Sequence, residues 1–263
     1  MTDAVPPTST VVPAKRGGLR LAIGHAIYKA SARIRLAEPE ILGLPQIVRP
    51  GDSVIDVGAA LGMYTVPLAH LTGPSGRVDS VDPQPRNFHV VRFLRRITGT
   101  KRGLIRRIGF GPEQGESSIA VPIIFGLPIF GHGHISDGAE EDGKHRIIHT
   151  PTPIDTIDAW VEREGIAKVT FIKVDVEGFE PSVVEGASKT ISRDLPSLLL
   201  EIEDRRLIRY GKVTANDFVA QMAERWPQYK MHTWSGKAWT EVDHVEPQVR
   251  NYLFATDAAF NRA

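Results

Sequence analysis

The sequence predicts a doubly wound α/β domain built on a mostly parallel sheet. Short apolar segments alternate along the chain with segments of helical periodicity, which is the pattern of parallel β–α–β units. Two late strand-like segments, YKMHTW and NYLFAT, have no helical segment between them, so we expect an antiparallel hairpin at the C-terminal edge of the sheet. The chain of 263 residues is long enough for one large domain with tails.

The composition of the chain excludes several kinds of partner and of catalytic site. The 32 basic and 31 acidic residues leave a net charge of +1, so no global field favours nucleic acid or a bilayer as a partner. Because the chain has no cysteine, disulfides, iron–sulfur clusters and thiol nucleophiles are excluded. No apolar run approaches the roughly 20 residues of a membrane-spanning helix, and the start of the chain does not resemble a signal peptide. We therefore expect a cytoplasmic protein without a nucleic-acid partner.

Three segments differ from the alternating pattern. Residues 1–18 are rich in Pro, Thr, Ser and Gly and are expected to form a flexible tail. Residues 19–36 combine apolar residues at helical spacing with several arginines, which predicts a basic amphipathic helix. We expect this helix to pack on the domain, and peripheral contact with an anionic membrane is the alternative. The domain is assigned to residues 37–257, with the long irregular stretch 125–150 as a lid-like insertion.

The first β–α unit carries the most informative motif. In VIDVGAALGMYT, Asp56 ends a strand, and Gly58 and Gly62 frame the turn into a helix. Glycine in such a turn permits close approach of the backbone to a ligand, and the helix N-terminus offers unpaired N–H groups. The next strand ends in SVDP, which places Asp82 26 positions after Asp56, near the spacing at which a carboxylate binds a ribose. Together the two features favour a nucleoside-containing cofactor.

Two common nucleotide-binding motifs are absent from the sequence. The spacing from Gly58 to Gly62 differs from the G-x-G-x-x-G of dinucleotide enzymes, and no G-x-x-x-x-G-K-[ST] phosphate loop occurs. Class I S-adenosylmethionine-dependent methyltransferases fit the turn better, because their cofactor has no phosphate. A non-catalytic nucleoside-binding module is the alternative from another functional class.

Five segments resemble the FkbM family of S-adenosylmethionine-dependent methyltransferases in their order and approximate spacing. They are GDSVIDVGAALGMYTVPLA, VDPQPRNF, TPIDTIDAW, VTFIKVDVEGFEPSVVEGA and PSLLLEIE. The resemblance implies a class I methyltransferase Rossmann-like fold and methyl transfer from S-adenosylmethionine to a hydroxyl oxygen of a sugar, a glycolipid or a glycosylated natural product. Transfer to a carboxylate is the alternative. VDP stands where the family more often has a Glu-Pro pair, and Asp82 keeps the carboxylate.

The resemblance also implies a set of cofactor-binding residues near the ends of the strands. They are Asp56, Gly58, Ala59, Gly62, Tyr64, Asp82, Pro83, Asn87, Gly109 and Asp175. Asp175 follows the apolar segment FIKV, at the edge where open α/β sheets bind their ligands. A carboxylate at this position favours binding of a sulfonium cation.

Four residues are candidates for removing the acceptor's proton. Asp175 and Glu177 follow the strand, whereas His132 and His134 lie in the insertion, where a loop can close over the acceptor. The alternative is that Asp175 or Glu177 caps the next helix and that both histidines are exposed. Glu180 is expected to face solvent or a neighbouring base.

The strand ends also leave a metal ion open as an alternative. Asp175, Glu201 and Glu203 offer carboxylate oxygens, which Mg²⁺ prefers as ligands. Because side chains alternate along a strand, we expect Glu201 and Glu203 to reach the site together or not at all. No metal ligand is predicted, and S-adenosylmethionine is the expected cofactor.

Overall fold

The computed structural model describes residues 15–99, 102–124, 127–128, 134–136 and 146–262. The strands in this part of the chain are β1 (Ser53–Val57), β2 (Arg77–Val81), β3 (Ile105–Arg106), β4 (Gly109–Phe110), β5 (Gly115–Ile124), β6 (Leu127–Pro128), β7 (His134–Ser136), β8 (Arg146–Asp155), β9 (Phe171–Val174), β10 (Ser197–Glu201), β11 (Lys230–Trp234), β12 (Trp239–Val242) and β13 (Asn251–Ala255).

The helices are α1 (Lys15–Arg33), α2 (Thr65–Thr72), α3 (Pro85–Thr98), α4 (Ile157–Arg163), α5 (Glu180–Glu185), α6 (Ser188–Asp194), α7 (Asp204–Arg206), α8 (Ala215–Arg225) and α9 (Asp257–Phe260). Two short 3₁₀ turns, Pro39–Leu42 and Leu44–Gln46, precede β1, and a π-helical turn, Leu207–Gly211, follows α7. None of the helices in the described part of the chain has the length and apolar character needed to cross a bilayer.

The main sheet has eight strands in the described residues, in the order β12-β11-β13-β10-β9-β1-β2-β3. The five strands from β10 to β3 run parallel, with registers such as Ile55 opposite Asp79 and Ile172. β13 is antiparallel to β10, and β11 is antiparallel to β13. This is the Rossmann-like arrangement expected for class I methyltransferases, so the predicted doubly wound sheet is confirmed.

The C-terminal strands pair as predicted, but their placement differs from the expected edge hairpin. β11 and β13 are antiparallel neighbours, yet β13 lies inside the sheet, next to β10. The edge is formed by β12, a strand that was not predicted. All five residues of β13 are buried, as befits an interior strand, whereas β12 has exposed residues in its middle.

The sheet separates two hydrophobic cores. Consecutive strand residues alternate between them, since Ile55 and Ile172 lie in the larger core and Val54 and Phe171 in the smaller one. The larger core is covered by α4, α5, α6 and α8, which contribute Trp160, Val183, Ile191 and Phe218. The smaller core is covered by α1, α2 and the first 3₁₀ turn, which contribute Ala32, Leu68 and Ile41. Helices therefore cover both faces, as the fold class requires.

A helix lies in the region predicted for it, but α1 spans Lys15–Arg33 instead of residues 19–36, so its first turn lies in the stretch expected to be a flexible tail. It packs on the domain through an unexpected face. Gly24 lies against α2, where an added Cβ would be 3.0 Å from Val66 Cγ1, and the ring of His25 stacks on that of His70 at 4.3 Å. The large apolar residues Ile23 and Ile27 are exposed. The expectation that this apolar row faces the domain is wrong, because a glycine and a flat ring allow closer helix packing than isoleucine does.

A second sheet, which the sequence did not predict, lies between β3 and α4 in the chain. Its order is β4-β8-β5-β6, with β7 also paired to β5. The stretch 125–150, expected to be one irregular insertion, contributes β6, β7 and the first residues of β8 in its described part. Its remaining residues lie outside the described residues, and the lid function stays a prediction.

Candidate active site

A cavity of about 260 Å³ lies at the carboxyl ends of β1, β2 and β9. This is the edge at which open α/β sheets bind ligands. Its lining comes from the loops after these strands and from the first residues of the second sheet. Among the predicted cofactor-binding residues, those that line it are Gly58, Asp82, Pro83, Asn87, Gly109 and Asp175.

The other four predicted cofactor-binding residues, Asp56, Ala59, Gly62 and Tyr64, do not line the cavity. Asp56 is fully buried below the turn, where it accepts a hydrogen bond of 2.5 Å from the Thr65 hydroxyl. The Tyr64 hydroxyl donates to Glu38 at 2.6 Å. Both side chains are bonded to other residues of the protein next to the glycine turn. Because neither of them lines the cavity, the structure assigns no ligand contact to Asp56 or Tyr64.

Asp82 ties the glycine turn to the end of β2. Its carboxylate accepts hydrogen bonds from the Ala60 N–H at 2.8 Å, the Gln84 N–H at 2.9 Å and Asn87 Nδ2 at 3.1 Å. Burial raises the pKa of Asp82 to about 6, and these hydrogen bonds oppose the rise. Asp82 therefore holds the glycine turn in place and also lines the cavity.

Gly58 is required for contact between two strand ends. Its φ is +79°, and a Cβ added there would lie 1.8 Å from the backbone oxygen of Asp175. The sequence suggested that this glycine makes room for a ligand. The structure corrects that reason, because the atom that needs the space belongs to the loop after β9.

Three carboxylates meet at the ends of β9 and β10. Oxygens of Asp175, Glu177 and Glu201 all lie within 4.8 Å of one another. The Arg206 Nη1 atom lies 2.6 Å from Glu177 Oε2 and 2.7 Å from Glu201 Oε2. Glu177 has a φ of +60°, a backbone conformation that non-glycine residues rarely adopt and that is frequent at functional sites. We call Asp175, Glu177, Glu201 and Arg206 the carboxylate cluster.

Two carboxyl groups of the cluster, Glu177 and Glu201, have raised pKa values. Burial raises the pKa of Glu177 to about 7, with Arg206 opposing the rise and Asp175 adding to it. Burial and the charge of Asp175 raise the pKa of Glu201 well above its usual range, against the effect of Arg206. Glu177 therefore exchanges a proton readily at neutral pH, which suits a general base.

Lys173 holds Asp175 from inside the sheet. Its side chain is buried, and Nζ lies 3.7 Å from Asp175 Oδ2 and 2.8 Å from Asn251 Oδ1. Burial opposes its charge, but the nearby carboxylates, Asp175 first, raise the pKa of Lys173 above its usual value. The cationic Lys173 is therefore a buried electrostatic partner of the Asp175 carboxylate.

Glu180 caps the turn that follows β9. It is buried, and Oε1 accepts hydrogen bonds from the N–H groups of Val176 at 2.9 Å and Gly178 at 3.3 Å. The expectation that Glu180 faces solvent or a neighbouring base is therefore wrong. The capping role considered for Asp175 or Glu177 belongs to Glu180, which leaves those two carboxylates in the cavity lining.

Glu201 and Glu203 both contact Arg206, and neither lines the cavity. They are not equivalent, because β10 ends at Glu201 and only Glu201 belongs to the group of three close carboxylates. Glu203 instead lies 3.3 Å from Nε of Arg206. The three carboxylates of the cluster have a spacing that suits a cation, and Arg206 would compete with it for Glu177 and Glu201. Mg²⁺ stays an open alternative.

The two histidine candidates stay predictions. His132 lies outside the described residues, and so does the side chain of His134, whose backbone pairs with Ala120 in the second sheet. No contact with the cavity is assigned to either of them.

Sequence reasoning missed two functional residues. Arg206 is separated from Glu177 by a whole β–α unit, and its only sequence signal is its place just after a strand, in EIEDRR. Gln84 lines the cavity, and its Oε1 atom is buried without a hydrogen-bond partner among the described residues. Its signal was the segment VDPQPRNF, in which Gln84 lies between two predicted ligand contacts.

Comparison with known protein families shows which family the chain belongs to. The methyltransferase FkbM domain matches residues 56–227, more than half of the chain. The chain belongs to the FkbM methyltransferase family. The matched segment contains the whole cavity lining and the carboxylate cluster, and it leaves α1 and the strands β11 to β13 outside.

Three proteins similar to this FkbM-family chain have sequence identities of 26%, 19% and 13%. The 31-O-demethyl-FK506 methyltransferase FkbM of Streptomyces tacrolimicus is 26% identical over 181 residues, which cover 60% of this chain and 67% of the relative. The solved methyltransferase FkbM of Methylobacillus flagellatus is 19% identical with a TM-score of 0.49, and the match covers 80% of this chain and 48% of that one. This chain thus spans about half the length of that structure. The O-methyltransferase of Bacillus cereus in complex with SAH is 13% identical with a TM-score of 0.44 and covers 95% and 83%.

Proposed function

We propose that this FkbM-family protein transfers a methyl group from S-adenosylmethionine to a hydroxyl oxygen of a sugar, a glycolipid or a glycosylated natural product. The proposal is carried by the cavity at the ends of β1, β2 and β9, which is lined by the glycine turn, Asp82 and two carboxylates of the cluster, Asp175 and Glu177. Family membership supports methyl transfer. The name of the Streptomyces relative, a 31-O-demethyl-FK506 methyltransferase, supports oxygen as the accepting atom.

The cavity residues fit the chemistry of this donor. S-Adenosylmethionine, when bound, supplies a methyl group on a sulfonium centre. Asp82 and Gln84 present oxygen atoms for hydroxyl donors such as those of a ribose, and Gln84 Oε1 has no other partner among the described residues. Asp175 and Glu177 offer negative charge to a cation in a partly buried site, where the attraction is stronger than in water.

Glu177 is our proposed acceptor of the hydroxyl proton. Its pKa of about 7 leaves a large deprotonated fraction at neutral pH, and it lines the cavity beside Asp175. Asp175, held by Lys173, orients the acceptor, and Arg206 positions Glu177 through their contact of 2.6 Å. His132 and His134 are the alternative bases.

Calorimetric titration tests the donor assignment. The purified protein is titrated with S-adenosylmethionine and with NAD, and we expect saturable binding of the first alone. Gln84→Leu should weaken donor binding without lowering thermal stability, because Oε1 has no partner to lose in the described part of the chain. Equal binding of NAD, or unchanged donor affinity in Gln84→Leu, would contradict the assigned contacts.

Mass spectrometry tests the acceptor assignment. Hydroxylated glycosides, lipids and carboxylic acids are incubated with enzyme and donor, and a gain of one methyl group is measured. A product methylated on a carboxylate would overturn the hydroxyl assignment. Donor binding without any methylated product across the panel would favour the non-catalytic nucleoside-binding module.

A further inference from the structure

Helices α1 and α3 expose rows of large apolar side chains. On α1, Leu19, Ile23 and Ile27 recur every four residues and are 67%, 51% and 59% exposed. On α3, Phe93 and Ile97 have the same spacing and are 61% and 39% exposed. Clustered apolar side chains on a protein surface mark a site of interaction with another phase or partner.

The two rows lie on neighbouring helices that touch. A Cβ added at Gly24 of α1 would lie 3.7 Å from Thr98 Cγ2 of α3. Ile23 and Ile27 flank Gly24 along α1, and Ile97 directly precedes Thr98 on α3. We call the five residues Leu19, Ile23, Ile27, Phe93 and Ile97, together with the exposed arginines beside them, the α1–α3 face.

The charged residues of α1 and α3 are basic. Neither helix contains an aspartate or a glutamate, and together they hold nine lysines and arginines, of which Arg95 is buried. Those that are exposed include Arg20, Arg33, Arg92 and Arg96. The net charge of the whole chain is only +1, so this positive charge is local and composition alone conceals it.

We propose that the α1–α3 face docks onto an anionic lipid bilayer. Interfacial helices of this kind bury apolar side chains at the headgroup boundary while basic residues contact lipid phosphates. A second copy of the chain fits this face poorly, because a symmetric contact would bring two positive surfaces together. Since the opposite side of α1 is held on α2 by the His25–His70 stack, the helix lies along the domain, and in the described part of the chain its outer side is exposed.

The docking face adjoins the cavity. The Tyr28 hydroxyl of α1 donates to the Leu61 carbonyl at 3.0 Å, and Leu61 both lines the cavity and is 52% exposed. Docking would place the cavity opening beside the bilayer surface.

Vesicle co-sedimentation with the full chain tests the proposal. One set of vesicles contains phosphatidylcholine alone, and the other contains equal parts of phosphatidylcholine and phosphatidylglycerol. We expect binding to the anionic vesicles at least about tenfold stronger than to the neutral ones, with a steep loss at high salt. Ile23→Ser with Ile27→Ser should weaken anionic binding by about tenfold or more. Arg92→Gln with Arg96→Gln should weaken it by about tenfold or more and flatten the salt dependence.

Matched controls use the same substitutions elsewhere. Ile208→Ser replaces an isoleucine that is 50% exposed outside the face, and Lys168→Gln with Lys189→Gln removes the same charge from another exposed region. Both should bind anionic vesicles like the wild type. All substituted side chains are exposed, so thermal unfolding should confirm that every variant folds.

Three results would overturn the proposal. They are absence of vesicle binding, equal binding to neutral and anionic vesicles, and equal losses in the control variants. A dimer in size-exclusion chromatography that Ile23→Ser with Ile27→Ser converts to a monomer would assign the face to a second copy instead.

Discussion

The cavity and the α1–α3 face differ in how their charged residues are arranged. In the cavity lining, Asp82 accepts three hydrogen bonds, and Glu177 shares Arg206 with Glu201 at the end of β10. In the α1–α3 face, basic residues accumulate on two helices without a single acidic residue. Charges that are paired and partly buried keep a fixed geometry, which a reaction needs. The α1–α3 face combines exposed arginines with exposed apolar side chains, and such a surface suits a large partner with negative charge and an apolar interior.

The largest effect is expected in the cavity, from removing the carboxylates that act on the acceptor. Asp175→Asn and Glu177→Gln should each lower turnover by about 10²–10⁴-fold, with a much smaller loss of donor affinity. Because Glu177 must be deprotonated to accept a proton and its pKa is about 7, activity should rise as pH increases through about 7. Steady-state rates across pH measure both effects.

The same pH profile separates the rival bases. Glu177→Gln should lose the acidic limb, whereas His132→Ala and His134→Ala should keep it. If the limb persists in Glu177→Gln and disappears in one histidine variant, that histidine is the base and the role assigned to Glu177 is wrong.

The next effect concerns how the cavity is assembled. Gly58→Ala should lower the free energy of unfolding by more than about 3 kcal/mol, because its Cβ would overlap the backbone of Asp175. Gly73→Ala is the matched control, since Gly73 also has a positive φ, of +67°, but nothing within 4 Å of an added Cβ. Its cost should be about 1–3 kcal/mol, because its ψ of −166° lies in a region almost restricted to glycine. Equal costs in urea denaturation would show that torsion alone, and not the close approach, requires glycine at 58.

A smaller effect is expected at Asp82, which both stabilises the glycine turn and lines the proposed donor site. Asp82→Ala should weaken S-adenosylmethionine binding by about 1.5–3 kcal/mol, the scale of a hydrogen bond to a charged group. It should also lower stability, because the N–H groups of Ala60 and Gln84 lose their acceptor. Calorimetry and denaturation measure the two losses separately. Unchanged affinity in a folded variant would remove Asp82 from the donor site.

The smallest effect is expected on the outer side of α1. Ile27→Asp should change the free energy of unfolding by no more than about 0.5 kcal/mol, because Ile27 is exposed. Ala32→Asp introduces the same side chain on the buried side of the helix, where Ala32 is 2% exposed, and should cost more than about 2 kcal/mol. Denaturation of both variants compares the two sides. A large loss in Ile27→Asp would mean that the apolar row contributes to the fold, and the docking proposal would lose its basis.

Much of the cavity was predictable because its signals are local. The short apolar runs in SVIDV and FIKV predict buried strands, and parallel strands bring their carboxyl ends to one edge. Asp82, Asn87, Gly109 and Asp175 accordingly line the cavity as predicted. Tyr64 shows what local signals do not predict. It follows the glycine turn in the sequence, but its ring packs in the smaller core.

The sequence by itself determined the fold class, the glycine turn and the FkbM family, because periodicity, torsional demand and motif order are properties of neighbouring residues. Tertiary structure alone decided that Arg206 joins Glu177 and Glu201, that Glu180 caps the loop after β9, and that α1 turns its apolar row outward. Each of these outcomes depends on which distant surfaces meet. For α1, a glycine and a stacked histidine pair allow the closer contact with α2, so packing overrode the hydrophobic pattern of the helix.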